Sequence, residues 1–128
     1  MNRNIGLLMT EQIGVLVVED ETLIRMDVVD QLEAEEFKVF EAANAEQAIA
    51  FLSAEPTIRL LFTDIDTPGS LDGLKLAAAV RDRWPPVKII VTSGHRIIEA
   101  SDLPDGSIFF SKPYHHADVV ASIRELLF

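Results

Sequence analysis

The sequence predicts an α/β domain, a parallel β-sheet with helices packed on both of its faces. Three observations carry that expectation. Apolar runs alternate with helical patterns five times along the 128 residues, as in chains that return each strand to the sheet through a helix. The run Val15 to Val18 is apolar at every position rather than at alternate ones, which a strand covered on both faces requires. Four of the runs also end on chemically loaded residues: Glu19-Asp20, Thr63-Asp64, Thr92-Ser93 and Ser111-Lys112-Pro113. In parallel strands those four endings share one edge of one sheet.

The elements follow in order. Residues 1 to 12 read as an N-terminal arm, and the domain as residues 13 to 128. After the strand Val15 to Val18, an amphipathic segment from about Thr22 to Glu36 carries Ile24, Val28 and Leu32 at spacings of four. Lys38 to Ala42 reads as a more exposed strand. Asn44 is placed to cap a helix through Phe51 and Leu52, with Gln47 three residues on to reach back. Ile58 to Thr63 is a buried strand. The Ala-rich segment Leu74 to Trp84 is helical and is stopped by Pro85 and Pro86. Val87 to Val91 is the fourth strand. His95 to Ala100 is a weakly patterned helix, and Asp102 to Gly106 a loop. Ile108 to Phe110 is the fifth strand, and His115 to Leu127 the last helix, with Val119 and Ile123 inward. That helix ends the sequence, so no second domain is expected.

Composition narrows the function. Eleven basic against twenty-one acidic side chains give a formal charge of −10, which repels nucleic-acid backbones and anionic membranes. The absence of cysteine excludes disulfide and thiol chemistry and is compatible with a reducing cytoplasm. No apolar run approaches the roughly 20 residues that span a bilayer.

The loaded strand ends point to phosphate chemistry. Ligands of open parallel sheets bind outside the carboxyl ends of the strands. Three carboxylates converging there repel one another, so at least one pKa rises unless a divalent cation is held; Mg²⁺ suits a few carboxylates, a backbone carbonyl and retained waters. Lys112 is a flexible point charge fit for a phosphoryl oxygen, Ser93 can donate to a second, and Asp64 is then the nucleophile of an acyl phosphate.

At these residues the chain resembles the receiver domain of two-component response regulators. The resemblance rests on Glu19-Asp20, on Asp64 to Gly69 with Pro68, on Thr92-Ser93-Gly94 and on Lys112-Pro113, in order, and it spans nearly everything from Ile13 to Phe128. It implies a flavodoxin-like (βα)₅ fold, doubly wound, with strand order 2-1-3-4-5. It also implies a phosphorylation-dependent switch that takes a phosphoryl group on Asp64 from a histidine kinase or a histidine phosphotransfer protein. On this resemblance the Mg²⁺ carboxylates are Asp20 and Asp64, the Asp66 carbonyl is a third ligand, and Glu19 binds directly or through water. Ser93 moves toward the phosphoryl group and Phe109 turns inward. Asp66 and His95 flank the path of attacking water and tune the lifetime of the acyl phosphate. Lys112-Pro113 is expected to be cis. The segment Pro68 to Gly73 is one residue longer than the usual form, and Thr67 stands where Met is common. Output is expected through a partner protein, from a monomer or weak dimer, in the cytoplasm and without direct nucleic-acid or membrane contact.

Two rival functions share the same residues. Asp64-Ile-Asp66-Thr67 fits the nucleophile motif of haloacid-dehalogenase-like phosphatases, with Asp66 as general acid, yet there the acidic metal ligands lie downstream, not upstream. A non-switching, receiver-like binding module is the third reading. Adjacent His115 and His116 point about 100° apart on a helix and chelate poorly, so a solvated first turn is expected. Trp84 reads as a helix-end packing residue, and Glu33, Glu35 and Glu36 as a solvated face.

Overall fold

The computed structural model describes residues 13–66, 73–94 and 98–128. Its elements are β1 (Gly14–Val18), α1 (Thr22–Ala34), β2 (Lys38–Ala42), α2 (Ala45–Ala54), β3 (Ile58–Asp64), α3 (Gly73–Arg83), β4 (Lys88–Ser93), a 3₁₀ turn (Ala100–Asp102), β5 (Ile108–Ser111) and α4 (His116–Leu127). The five strands form one parallel sheet in the order β2-β1-β3-β4-β5, as expected. The N-terminal arm, Thr67, the loop around Pro68 and His95 lie outside the described residues.

The sheet divides the core into two layers. Alternate residues of the central strands feed each, since side chains leave a strand on opposite faces. Leu16, Val18, Leu61, Ile89 and Val91 pack against α2 and α3 through Ala48, Leu52, Leu76 and Val80. Val15, Val17, Leu60, Phe62 and Ile90 pack against α1 and α4 through Val28, Leu32, Val119 and Ile123. Each fully buried aliphatic side chain contributes about 1.5–3 kcal/mol. The edge strand β2 is the more exposed one that the sequence predicts.

Local chemistry sets the helix boundaries. α1 stops two residues before the expected Glu36. There Glu36 adopts φ 71°, Glu36 N–H donates to Glu33 C=O at 2.9 Å, and Phe37 N–H donates to Leu32 C=O at 3.2 Å. This is the left-handed stop usually made by glycine. At α2, Asn44 Oδ1 accepts from Gln47 N–H at 2.9 Å, while Gln47 Oε1 reaches back to Ala43 N–H at 2.8 Å.

The expected helix from His95 to Ala100 is not formed in its described part, from Ile98 on; residues 95–97 lie outside the described residues. Ile98 and Glu99 are not helical; a single 3₁₀ turn begins only at Ala100, inside what reads as the start of a loop. Four α-helices therefore serve five strands among the described residues. The segment has no 3.6-residue apolar period to bury, and Glu99 N–H is satisfied locally by Asp102 Oδ2 at 3.0 Å. A cleft of about 310 Å³ lies over β5, with Ile98, Leu103 and the half-buried Phe109 in its wall.

Candidate functional site

Parallel pairing brings the four loaded strand ends to one edge. Val18 is registered with Thr63, Asp64 with Thr92, and Ser93 with Ser111. Glu19 follows β1 directly, Asp64 closes β3, Ser93 closes β4, and Lys112 follows β5. This is the carboxyl edge of the sheet, where ligands of open parallel sheets bind.

Lys112 Nζ lies at the centre. It donates to Asp64 Oδ2 at 2.9 Å and to Glu19 Oε1 at 3.1 Å. The other carboxylate oxygens are held by main chain: Asp66 N–H donates to Asp64 Oδ1 at 2.9 Å, and Glu21 N–H to Glu19 Oε2 at 3.1 Å. Glu19 and Asp64 are each only 3% exposed, whereas Asp20 is exposed. Carboxylate oxygens of Glu19, Asp20 and Asp64 all lie within 4.8 Å of one another. Mg²⁺ takes oxygen ligands at about 2.0–2.1 Å in an octahedron and retains waters, so this hard-oxygen donor set suits it with a small closure or a bridging water.

The electrostatics follow from burial. Burial raises the Glu19 pKa above its ordinary value, against the lowering effects of the Glu21 N–H and Lys112 bonds; the neighbouring Asp64 charge adds a smaller push upward. The expected rise is thus present, but withdrawal from water causes more of it than repulsion does. For Lys112, burial alone would lower the pKa. The hydrogen bonds to Asp64 and Glu19 outweigh it and raise the pKa above the ordinary lysine value.

Asp66 is held by the neighbouring strand end. Its Oδ2 accepts from Ser93 Oγ at 2.9 Å and from Gly94 N–H at 3.3 Å. Its carboxylate is absent from the acid cluster, which leaves the metal role assigned to Asp66 with its main-chain carbonyl. Ser93 is 1% exposed. Phe109, opposite Val91, is half-buried against the α2–α3 layer. The Lys112-Pro113 peptide bond is cis, as expected.

Sequence reasoning did not single out several supports. Arg25 ties α1 to the site: its Nη1 donates to Glu19 C=O at 2.8 Å and its Nε to Glu41 Oε1 at 3.2 Å. Tyr114 stands beside Lys112 with its ring near Phe62, Phe110 and His116. Burial pushes its hydroxyl pKa up to about 12; the Lys112 charge opposes this, and the Glu19 and Asp64 charges reinforce it. His116, in the solvated first turn, also makes a surface contact: its Nε2 meets Asp27 Oδ2 at 2.8 Å, joining α4 to α1. Glu35 likewise pairs with Arg124 at 2.6 Å. These contacts cross 89 residues of sequence, so local pattern carries no sign of them. Trp84 does pack at the end of α3, with Arg83 stacked over its ring at 4.4 Å.

Gly73 was read only as part of a loop. A Cβ there would lie 2.3 Å from Ile65 Cα and 2.8 Å from Asp64 C=O, so only glycine lets α3 begin against the strand that carries Asp64. Beside the acid cluster, a mostly apolar cleft of about 470 Å³ is lined by Leu23, Ile24, Val28, Pro113, Tyr114 and His116. Leu23 is 81% exposed and Met26 51%.

Comparison with known proteins agrees with this geometry. The family model described as "Response regulator receiver domain" matches residues 15–124. A putative NtrX-like response regulator of Rickettsia felis is 37% identical over 117 residues, covering 88% of this chain but 24% of that protein. The chain thus spans about a quarter of the length of that relative. The response regulator receiver protein CpdR of Brucella abortus is 33% identical over 116 residues, covering 88% of this chain and 95% of CpdR. The crystal structure of a response regulator receiver protein from Sinorhizobium medicae superposes with a TM-score of 0.83 at 28% identity, covering 90% of this chain and 94% of that one. No helix among the described residues is long and apolar enough to cross a membrane.

Proposed function

The chain belongs to the response regulator receiver domain family, and from that premise we propose that it accepts a phosphoryl group on Asp64 and passes the change to a partner protein. One observation carries the proposal. The Asp64 carboxylate, 3% exposed, meets an ammonium group at 2.9 Å and lies within 4.8 Å of two further carboxylates. That arrangement is costly to fold and suited to phosphoryl transfer.

The residues divide the work. An Asp64 oxygen attacks phosphorus, the bond to the donor's imidazole nitrogen breaks, and that nitrogen leaves with the electron pair. Asp66 N–H and Lys112 Nζ each hold one Asp64 oxygen and so orient the nucleophile. Lysine has three donors, and Glu19 and Asp64 occupy two; the third is available to a phosphoryl oxygen. Ser93 supplies a hydroxyl donor from β4. Glu19, Asp20 and Asp64 would hold Mg²⁺, which when bound neutralises charge gathering on the phosphoryl oxygens.

The donor's docking surface adjoins the acids. Exposed Leu23 and Met26 and the apolar cleft beside Lys112 fit a protein donor, a histidine kinase or a phosphotransfer protein, better than a small phosphate ester. The phosphatase reading needs Asp66 as a free general acid. Here Asp66 Oδ2 accepts from Ser93 Oγ and Gly94 N–H at the end of β4, and the motif follows the third strand instead of the first.

The test is Mg²⁺-dependent labelling by acetyl phosphate, comparing the parent with Asp64→Asn. One stoichiometric, acid-stable and base-labile phosphoryl group on the parent, and none on the variant, is expected. Equal labelling of both, or multiple turnover of a generic phosphate ester, would overturn the proposal.

A further inference from the structure

We propose that the Asp66 side chain is a latch on the switch: it holds the Ser93 hydroxyl in the resting orientation, and a phosphoryl group on Asp64 must take that hydroxyl away. The inference rests on the phosphoacceptor reading above and assigns Asp66 a role within it distinct from metal binding or the handling of water.

The argument is one of donor count. A serine hydroxyl has a single proton to donate. In the resting chain Ser93 Oγ spends it on Asp66 Oδ2 at 2.9 Å, a charge-assisted bond to a carboxylate. The same oxygen accepts Gly94 N–H at 3.3 Å, so the carboxylate grips the end of β4 at two successive residues. Ser93 is 1% exposed, and water therefore competes poorly for the hydroxyl. The hydroxyl cannot serve Asp66 and a phosphoryl oxygen at once.

Residue 66 also touches the phosphoryl acceptor. Its main-chain N–H donates to Asp64 Oδ1 at 2.9 Å. One residue thus holds the acceptor carboxylate through its backbone and the sensing hydroxyl through its side chain. A phosphoryl group on Asp64 brings a second negative charge toward the Asp66 carboxylate, which weakens the latch at the moment Ser93 is needed elsewhere. The cost of breaking the bond falls on the phosphorylated state and keeps the unphosphorylated chain from setting spontaneously. Asp66 acts through Ser93 and is a positioning residue.

The experiment measures affinity for trifluoroberyllate, a stable phosphoryl mimic, with Mg²⁺ present. Parent, Asp66→Ala and Asp66→Asn are compared, each also in a Ser93→Ala background, with urea midpoints verifying that every variant folds. Removing the latch in Asp66→Ala should tighten binding by about tenfold, the scale of one charge-assisted hydrogen bond no longer broken. Asp66→Asn keeps a neutral acceptor, so its gain should be about threefold. In the Ser93→Ala background both gains should vanish, since no hydroxyl remains to be held. Equal gains with and without Ser93 would mean that charge repulsion alone acts, and no gain at all would mean that the bond is incidental; either overturns the latch. Failure of the parent to bind trifluoroberyllate, or binding that survives in Asp64→Asn, would instead remove the phosphoacceptor reading and the latch with it.

Discussion

Replacing Lys112 with methionine isolates what holds two buried carboxylates together. The substitution keeps most of the side-chain volume and removes the charge. With an effective dielectric constant of about 20, the contacts at 2.9 Å and 3.1 Å are each worth about 5–6 kcal/mol of gross attraction. The folded variant need not lose all of it, because a carboxyl can bind a proton instead. Glu19 is poised to do so, its pKa already raised by burial. Protonating a carboxyl of ordinary value 4.5 at about pH 7 costs about 3.4 kcal/mol, at about 1.36 kcal/mol per pH unit. That figure caps the loss and agrees with the roughly 3–5 kcal/mol of broken buried pairs.

The cap moves with pH. At about pH 5.5 the same proton costs about 1.4 kcal/mol, so the expected destabilisation of Lys112→Met falls by about 2 kcal/mol between pH 7 and 5.5. The sign follows from linkage. A carboxyl whose folded-state pKa is raised holds its proton longer in the folded chain, so its stabilising contribution is full below the ordinary value and is lost as pH rises through the folded value. Urea unfolding in EDTA at both pH values is the assay. A variant as stable as the parent at pH 7, or a loss of equal size at both pH values, would refute the reasoning. Millimolar Mg²⁺ should restore more stability to the variant than to the parent, because the cation replaces the missing ammonium in the folded state alone.

Two further outcomes are expected. Gly73→Ala should lower stability by about 1–3 kcal/mol in urea unfolding, since its Cβ meets Ile65 Cα at 2.3 Å and the main chain must shift; acetyl-phosphate labelling of the adjacent Asp64 should fall with it, and an unchanged midpoint would count against the close approach. Tyr114 is the single tyrosine, so tyrosinate absorbance reports it alone: the native chain should titrate near 12 rather than 10.0. Between those values the unfolded chain has lost the proton that the folded chain keeps, so stability should fall as pH rises through that window; a native midpoint near 10 would show that the ring is not buried.

The fold was legible because its signals are local and repeated. Continuous apolar runs mark the central strands, and Asn44 with Gln47 marks a helix start that forms as read. The strand ends were legible because parallel topology turns order along the chain into proximity at one edge. The described part of the connection from β4 to β5 is not an α-helix: the expectation rested on composition alone, and capping at Glu99 and Asp102 satisfies the chain over a single turn. The sequence carries no sign of how the acid pair divides between core and solvent, and the structure buries Glu19 and exposes Asp20. Position after β1 decides that difference, with Arg25 and Lys112 completing it from 6 and 93 residues away. Contacts over such separations leave no periodic trace.

The same distinction bears on how the proposed switch would reach β5. The chemical edge is rigid, being the ends of four paired strands, and strain introduced there has few outlets within the sheet. Among the described residues one 3₁₀ turn lies between β4 and β5, and Phe109 stands in the wall of an open cleft. Ser93 at the end of β4 is registered with Ser111 on β5, two residues beyond Phe109. On the proposed function, a displacement of Ser93 would reach this cleft through a single strand pairing. Because phenylalanine has no hydroxyl to seek a partner, a change there would be one of packing alone, in the volume and apolar lining of the cleft.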